Sequence, residues 1–186
     1  MIKVKALVMT CLLLPSISFA GSETDLVRKI DELLKARWKE EKISPARKAN
    51  SASFLRRLYL DIAGRTPPLE VTQEFLYSRD PAKKAKFIKR ILRTPDYAEH
   101  WANVWTDTLI GPDLRQPMVN RRALVGWLNE QFKKNTPFDK LVRDLLTAEG
   151  YSDENGATNY FMKFKIPAEA ASSVSRVFLG VQIQCA

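Results

Sequence analysis

Residues 94–111 read TPDYAEHWANVWTDTLIG, and the order of these residues dictates a helix. Thr94 brings a hydroxyl to the first free N–H groups, and Pro95 follows at the first helical position, where its missing N–H is no loss. Tyr97, Trp101, Val104 and Leu109 then recur with helical, not alternating, spacing. The same grammar appears upstream at Asp80-Pro81, with Asp80 as the cap and Phe87, Ile88, Ile91 and Leu92 as the apolar face. It appears downstream at Thr136-Pro137, where Asp139 stands three residues after the threonine as an approximate capping box. That helix carries Phe138, Leu141, Val142, Leu145 and Leu146. Between them, Asn120 is placed to cap a helix bearing Leu124, Trp127, Leu128 and Phe132.

Farther out the pattern continues. Phe54, Leu55, Leu58, Tyr59 and Ile62 form a stripe that Gly64 ends, since a residue without Cβ suits the turn after a helix. Pro67 and Pro68 lead into a short helix over 70–77. Residues 23–41 carry Leu26, Ile30, Leu33, Leu34 and Trp38 at three- and four-residue spacing. Residues 149–166 read as a long loop, and Pro167 opens a last helix with Ala171, Val174, Val177, Phe178 and Val181. No segment alternates with period two for long enough to argue a sheet, and no repeat of fixed period appears. The fold expected is all-α, a single orthogonal bundle of about seven or eight short helices over 21–186, after a signal peptide over 1–20.

Composition excludes several classes. The 186 residues are 45% hydrophobic and 27% charged, which rules out disorder and collagen-like repeats and suits one domain with a core. Seven glycines leave little room for a Gly-rich phosphate cradle. The only histidine, His100, removes any metal site or catalytic triad that needs two. No nucleophile–base pair stands at recognisable spacing, so no complete catalytic constellation is found.

The chain begins MIKVKALVMTCLLLPSISFA. Lys3 and Lys5 form a basic start, residues 6–14 an apolar run, and Ser18 and Ala20 the small residues before a cleavage point. This is the pattern of a secretory signal peptide, too short to be a stable membrane anchor, and it implies a periplasmic or secreted protein with no membrane span after its removal. Cys11 lacks the preceding small residues of a lipoprotein signal. Cleavage would remove Lys3, Lys5 and Cys11, leaving 28 of the 30 basic residues against 21 acidic ones, a net charge of about +7, and Cys185 as the sole thiol.

Lys83, Lys84, Lys86, Lys89, Arg90 and Arg93 form the densest charge and read either as a solvated helix face or as a patch for an acidic partner. Nucleic acid is not expected, since the chain is exported and has no binding motif. Arg56-Arg57 and Arg121-Arg122 read as exposed residues beside core positions. Trp101, Trp105 and Trp127 read as core packing. His100, beside Glu99, reads as a structural or exposed histidine, with a haem ligand or general base as the alternative. Asp153, Glu154 and Asn155 match no calcium loop and read as a polar turn ending at Gly156. Met118 and Met162 are the remaining soft donors.

Four ordered segments carry a resemblance: FLRRLYLDIAGRTPPLEVTQEFL at 54–76, YAEHWANVWTDTL at 97–109, WLNEQFKKNTPFDKLVRDLLTAEG at 127–150 and VSRVFLGVQIQCA at 174–186. Together they resemble the planctomycete cytochrome-c-like family, also called domain of unknown function 1549, over roughly residues 24–186. The resemblance implies that the last segment leads into a Cys-x-x-Cys-His haem-attachment motif with Cys185 as its first thiol. Two thiols so spaced reach the two vinyl groups of one haem, and the histidine supplies an axial ligand. The sequence ends after Ala186, before a second cysteine or that histidine, and so reads as an N-terminal fragment broken inside the motif. By this resemblance the intact protein carries haem c and this fragment none, the partner is a redox protein, and a further domain follows. The family's activity is unestablished, and gene context associates it with polysaccharide breakdown. The other class of reading is an exported basic module that binds an acidic glycan or an acidic protein.

Overall fold

The structure, a computed structural model, describes residues 23–112 and 117–183. The signal-peptide reading of residues 1–20 and the haem-attachment reading of Cys185 both fall outside the described residues. The described residues are helical and contain no strand: α1 (Glu23–Glu40), α2 (Ser51–Ala63), α3 (Leu69–Tyr77), α4 (Lys83–Ile91), α5 (Pro95–Ile110), α6 (Arg121–Lys133), α7 (Phe138–Leu146), α8 (Asn159–Met162) and α9 (Pro167–Val174). The all-α expectation holds. The chain divides into two compact units, one ending at Lys48 and the other beginning at Ala49.

In the first unit, α1 closes in a Schellman turn. Ile43 N–H reaches Trp38 O at 2.8 Å, and Lys42 takes a left-handed φ of 55° without being glycine. The stripe of Leu26, Ile30, Leu33 and Leu34 is solvent-facing, each at least 46% exposed. Helical periodicity there marks a helix but not a buried face.

The second unit is built around α5, which packs on α2 and on α6. Thr94 caps it as expected, its Oγ1 accepting from Tyr97 N–H at 3.4 Å. On one side Leu55, Tyr59 and Ala63 of α2 meet Phe75 of α3 and Phe87 and Ile91 of α4, with Phe75 edge-on to Phe87 at 4.9 Å. On the other, Ala102, Leu109 and Ile110 of α5 meet Leu124 and Leu128 of α6, Leu141 and Leu145 of α7, and Ala157 and Tyr160. Asn120 caps α6 as expected, accepting from Ala123 N–H at 3.0 Å.

Several local expectations are corrected. Asp80 does not open α4 directly; its Oδ1 accepts from Ala82 N–H at 2.8 Å in a turn of its own, and the helix proper starts one turn later. The capping box at Thr136 does not form. The Thr136 hydroxyl instead donates to Gln131 Oε1 at 2.8 Å, and α7 begins behind Pro137 with no side-chain cap. Thr136 is occupied because α6 ends in a Schellman turn, with Thr136 N–H on Gln131 O, Asn135 N–H on Phe132 O and Asn135 at a φ of 49°.

The expected loop at 149–166 contains a 3₁₀ turn (Gly156–Thr158) and α8, and delivers fully buried Tyr160 and Asn159 to the core. Asn159 uses its whole amide: Oδ1 accepts from Asn120 N–H at 2.6 Å, and Nδ2 donates to Ser152 O and Gly156 O at 2.8 and 3.0 Å. This explains a buried polar side chain, since every donor and acceptor it carries has a partner. Gly156 lies directly against the backbone of α6, where an added methyl would land on the Ala123 carbonyl. The last helix stops at Val174, passes into one π turn (Ser175–Leu179) and ends at left-handed Gly180. Ser172, Ser173 and Ser175 are buried there, while Ala171 and Val181 are exposed.

Candidate functional site

The basic run of α4 is not one uniform surface. Lys83 Nζ donates to Phe75 O and Ser78 O, both at 3.0 Å, and so closes the C-terminal end of α3. Lys86 pairs with Asp80 at 2.6 Å, and this hydrogen bond, helped by that from Ala82 N–H, holds the Asp80 carboxyl below the usual range. Arg90 grips both oxygens of Glu74 at 2.8 and 2.9 Å and lies 4.0 Å from the Phe87 ring centroid. Lys84 stands 4.8 Å over the Phe54 ring. Four of the six cations therefore have intramolecular work, which leaves Lys89 and Arg93.

Those two line one wall of a cleft of about 440 Å³, completed by Leu92, Tyr97, Phe132, Lys133 and Asn135. A smaller hollow of about 130 Å³ adjoins it at Thr94, Pro95 and Ala98. The geometry follows from two features already described. The Thr94–Pro95 cap turns the chain sharply from α4 into α5, so Arg93 and Tyr97 end on the same side. The Schellman turn at the end of α6 brings Phe132, Lys133 and Asn135 opposite them. Tyr97 and Phe132 meet edge-on at 6.1 Å and form the apolar floor. No carboxylate lines the cleft. Lys133 is engaged at 3.0 Å with Glu130, whose carboxyl that hydrogen bond holds below the usual range. Both partners are about half exposed, so the pair is weak and an incoming anion can compete for the ammonium.

The other candidates are placed as follows. The His100 ring covers Gly64, in the space a Cβ would need, and meets Trp101 edge-on at 5.8 Å. Trp105 packs between Phe138 and Phe178, and Trp127 packs against the α6 core. Trp101 Nε1 is buried without a hydrogen-bond partner. Arg121 is corrected from exposed to half-buried, with its guanidinium on Asp107 and on Gly111 O. Asn155 does form the turn before Gly156, donating to Glu149 O at 2.9 Å. Met118 is 72% exposed. Among the described residues no three His, Cys, Asp or Glu side chains gather to hold a metal, and no helix is long and apolar enough to cross a membrane. Lys89 and Arg93 stand out in the sequence as part of its densest charge, whereas Lys133 does not, and Tyr97 and Phe132 read there as core positions of separate helices.

Residues 29–186 match a family model, PSCyt2, described as "Protein of unknown function (DUF1549)". No curated protein and no solved structure matches the chain.

Proposed function

Since the chain belongs to the DUF1549 family over residues 29–186, we propose that it is an exported, cytochrome-c-like domain whose intact form attaches haem through Cys185. One observation supports this reading: the family match covers the segment VSRVFLGVQIQCA, which resembles the lead-in to a haem-attachment motif and would make Cys185 its first thiol. In this reading the second thiol and the adjoining histidine lie beyond Ala186, and the bound haem would serve one-electron transfer to a redox partner.

The described residues do not themselves fit a haem. Their one histidine is packed over Gly64, and no three His, Cys, Asp or Glu side chains gather among them. The full gene product, expressed with a c-type maturation system, is expected to yield a Soret band that survives acid-acetone extraction and disappears in Cys185→Ser. A colourless full-length product would overturn the reading.

A second reading is favoured by the cleft: an exported basic module for an acidic glycan or acidic protein, supported by three cations facing one hollow without a carboxylate. Retention on an anionic polysaccharide, lost when Lys89, Arg93 and Lys133 become glutamine, is its expected signature; retention unchanged in that variant would count against it.

A further inference from the structure

We infer that the cleft between the α4–α5 corner and the end of α6 is a binding site for one acidic sugar unit, a pyranose bearing a carboxylate or a sulfate ester. This rests on the second reading above and names its site and ligand class.

Three features point the same way. The first is charge. Lys89 and Arg93 have no hydrogen bond or ion pair from their side chains, and Lys133 has only a weak, exposed one. Three cations around one hollow repel each other, and an anion placed among them relieves that repulsion. Arg93 adds a planar fork that meets a carboxylate or sulfate through two parallel hydrogen bonds.

The second is the floor. Tyr97 and Phe132, edge-on to each other and partly buried, line the cleft, while Lys89, Arg93, Lys133 and Asn135 around them are exposed. An open cleft of this kind cannot desolvate both faces of a flat aromatic acid. It suits a ring with one C–H face to lay on aromatic surface and hydroxyls to leave in water. The third is the polar rim. Asn135, exposed at the left-handed end of α6, lines the cleft and carries an amide donor and acceptor for ring hydroxyls. The volume, about 440 Å³, falls in the lower part of the range of roughly 300–1,000 Å³ usual for small-ligand sites.

Calorimetric titration of the full chain with four probes tests this: a sulfated tetrasaccharide, an oligogalacturonate of equal length, a neutral glucose tetrasaccharide and sodium sulfate. The acidic saccharides are expected to bind, with the neutral one and bare sulfate at least about tenfold weaker. Arg93→Gln and Lys133→Gln should each weaken binding about tenfold, as expected for loss of a charge-assisted hydrogen bond. Tyr97→Leu should weaken it less, and Lys84→Gln, on α4 but outside the cleft, should leave it unchanged. Both glutamine variants at the cleft are on exposed side chains, and unchanged melting temperatures are expected of them.

Equal losses from Lys84→Gln and Arg93→Gln would overturn the site, because diffuse charge and not the cleft would then be responsible. Equal affinity for the neutral saccharide would overturn the ligand class. Retention on poly-glutamate without binding of any saccharide would overturn this inference yet leave the basic-module reading standing. Absence of both would end the two together.

Discussion

Glycine at 156 and glycine at 126 show how one residue type reports opposite constraints. At Gly156 a methyl would strike the Ala123 carbonyl oxygen and come within 2.9 Å of Trp127 Cβ, both on α6. At Gly126, inside α6 and exposed, nothing lies within 4 Å. Gly156→Ala is therefore expected to destabilise by about 2–3 kcal/mol, since backbone must move to make room. Gly126→Ala should stabilise by about 0.5–1 kcal/mol through helix propensity alone. Urea unfolding of the two variants against the parent measures both, and the same sign for both would refute the packing described around α6. Gly64 is the readable counterpart. Its role as the residue after α2 follows from sequence, but the His100 ring resting on it does not, because 36 residues separate the two and no local pattern links them.

At the scale of elements, the helices that carry their own punctuation were legible. Thr94, Asn120 and Gly64 act within three or four residues of their own position, so their chemistry can be read along the chain. Thr136 misled because its hydroxyl had a nearer partner in the preceding helix, at Gln131. Residues 149–166 misled for another reason. Four helical residues are too few to show a period, and Tyr160 is buried by contacts to α6 and to Ser173, not by a stripe of its own. The basic helix α4 carries the second prediction. Lys83 satisfies two carbonyls at the end of α3, whereas Lys89 satisfies none. Lys83→Met should cost about 1–2 kcal/mol, the range of a charged hydrogen bond that is half exposed, and Lys89→Met less than about 0.5 kcal/mol. Equal thermal shifts for the two would show that α4 is a uniform solvated face after all. The candidate cleft was half legible by the same logic, its charges visible in composition and its walls only in the packing of three elements.

For the whole molecule, three desolvated groups, Tyr160, Tyr59 and Lys163, shape the response to alkali. Desolvation raises the Tyr160 hydroxyl above its ordinary 10.0, against a smaller opposing effect from its hydrogen bond to Ser173, and burial raises Tyr59 likewise. As pH climbs past 10.0 the unfolded chain gives up these protons first, so stability present below that pH is lost above it. Lys163 runs the other way. Burial lowers it from 10.5, the folded protein deprotonates first, and its contribution improves with pH up to that value. Tyr160→Phe is expected to flatten the alkaline decline in melting temperature and Lys163→Met to steepen it; a profile unmoved by either would mean that these groups are solvated. The seat of Gly156 on α6 has a consequence on a different clock. With no side chain between the two backbones, water cannot enter there unless α6 itself opens. In deuterium labelling, the amides of the irregular segment around 156–160 are expected to be among the slowest to exchange, at rates set by global unfolding, while amides near exposed Tyr151 exchange early.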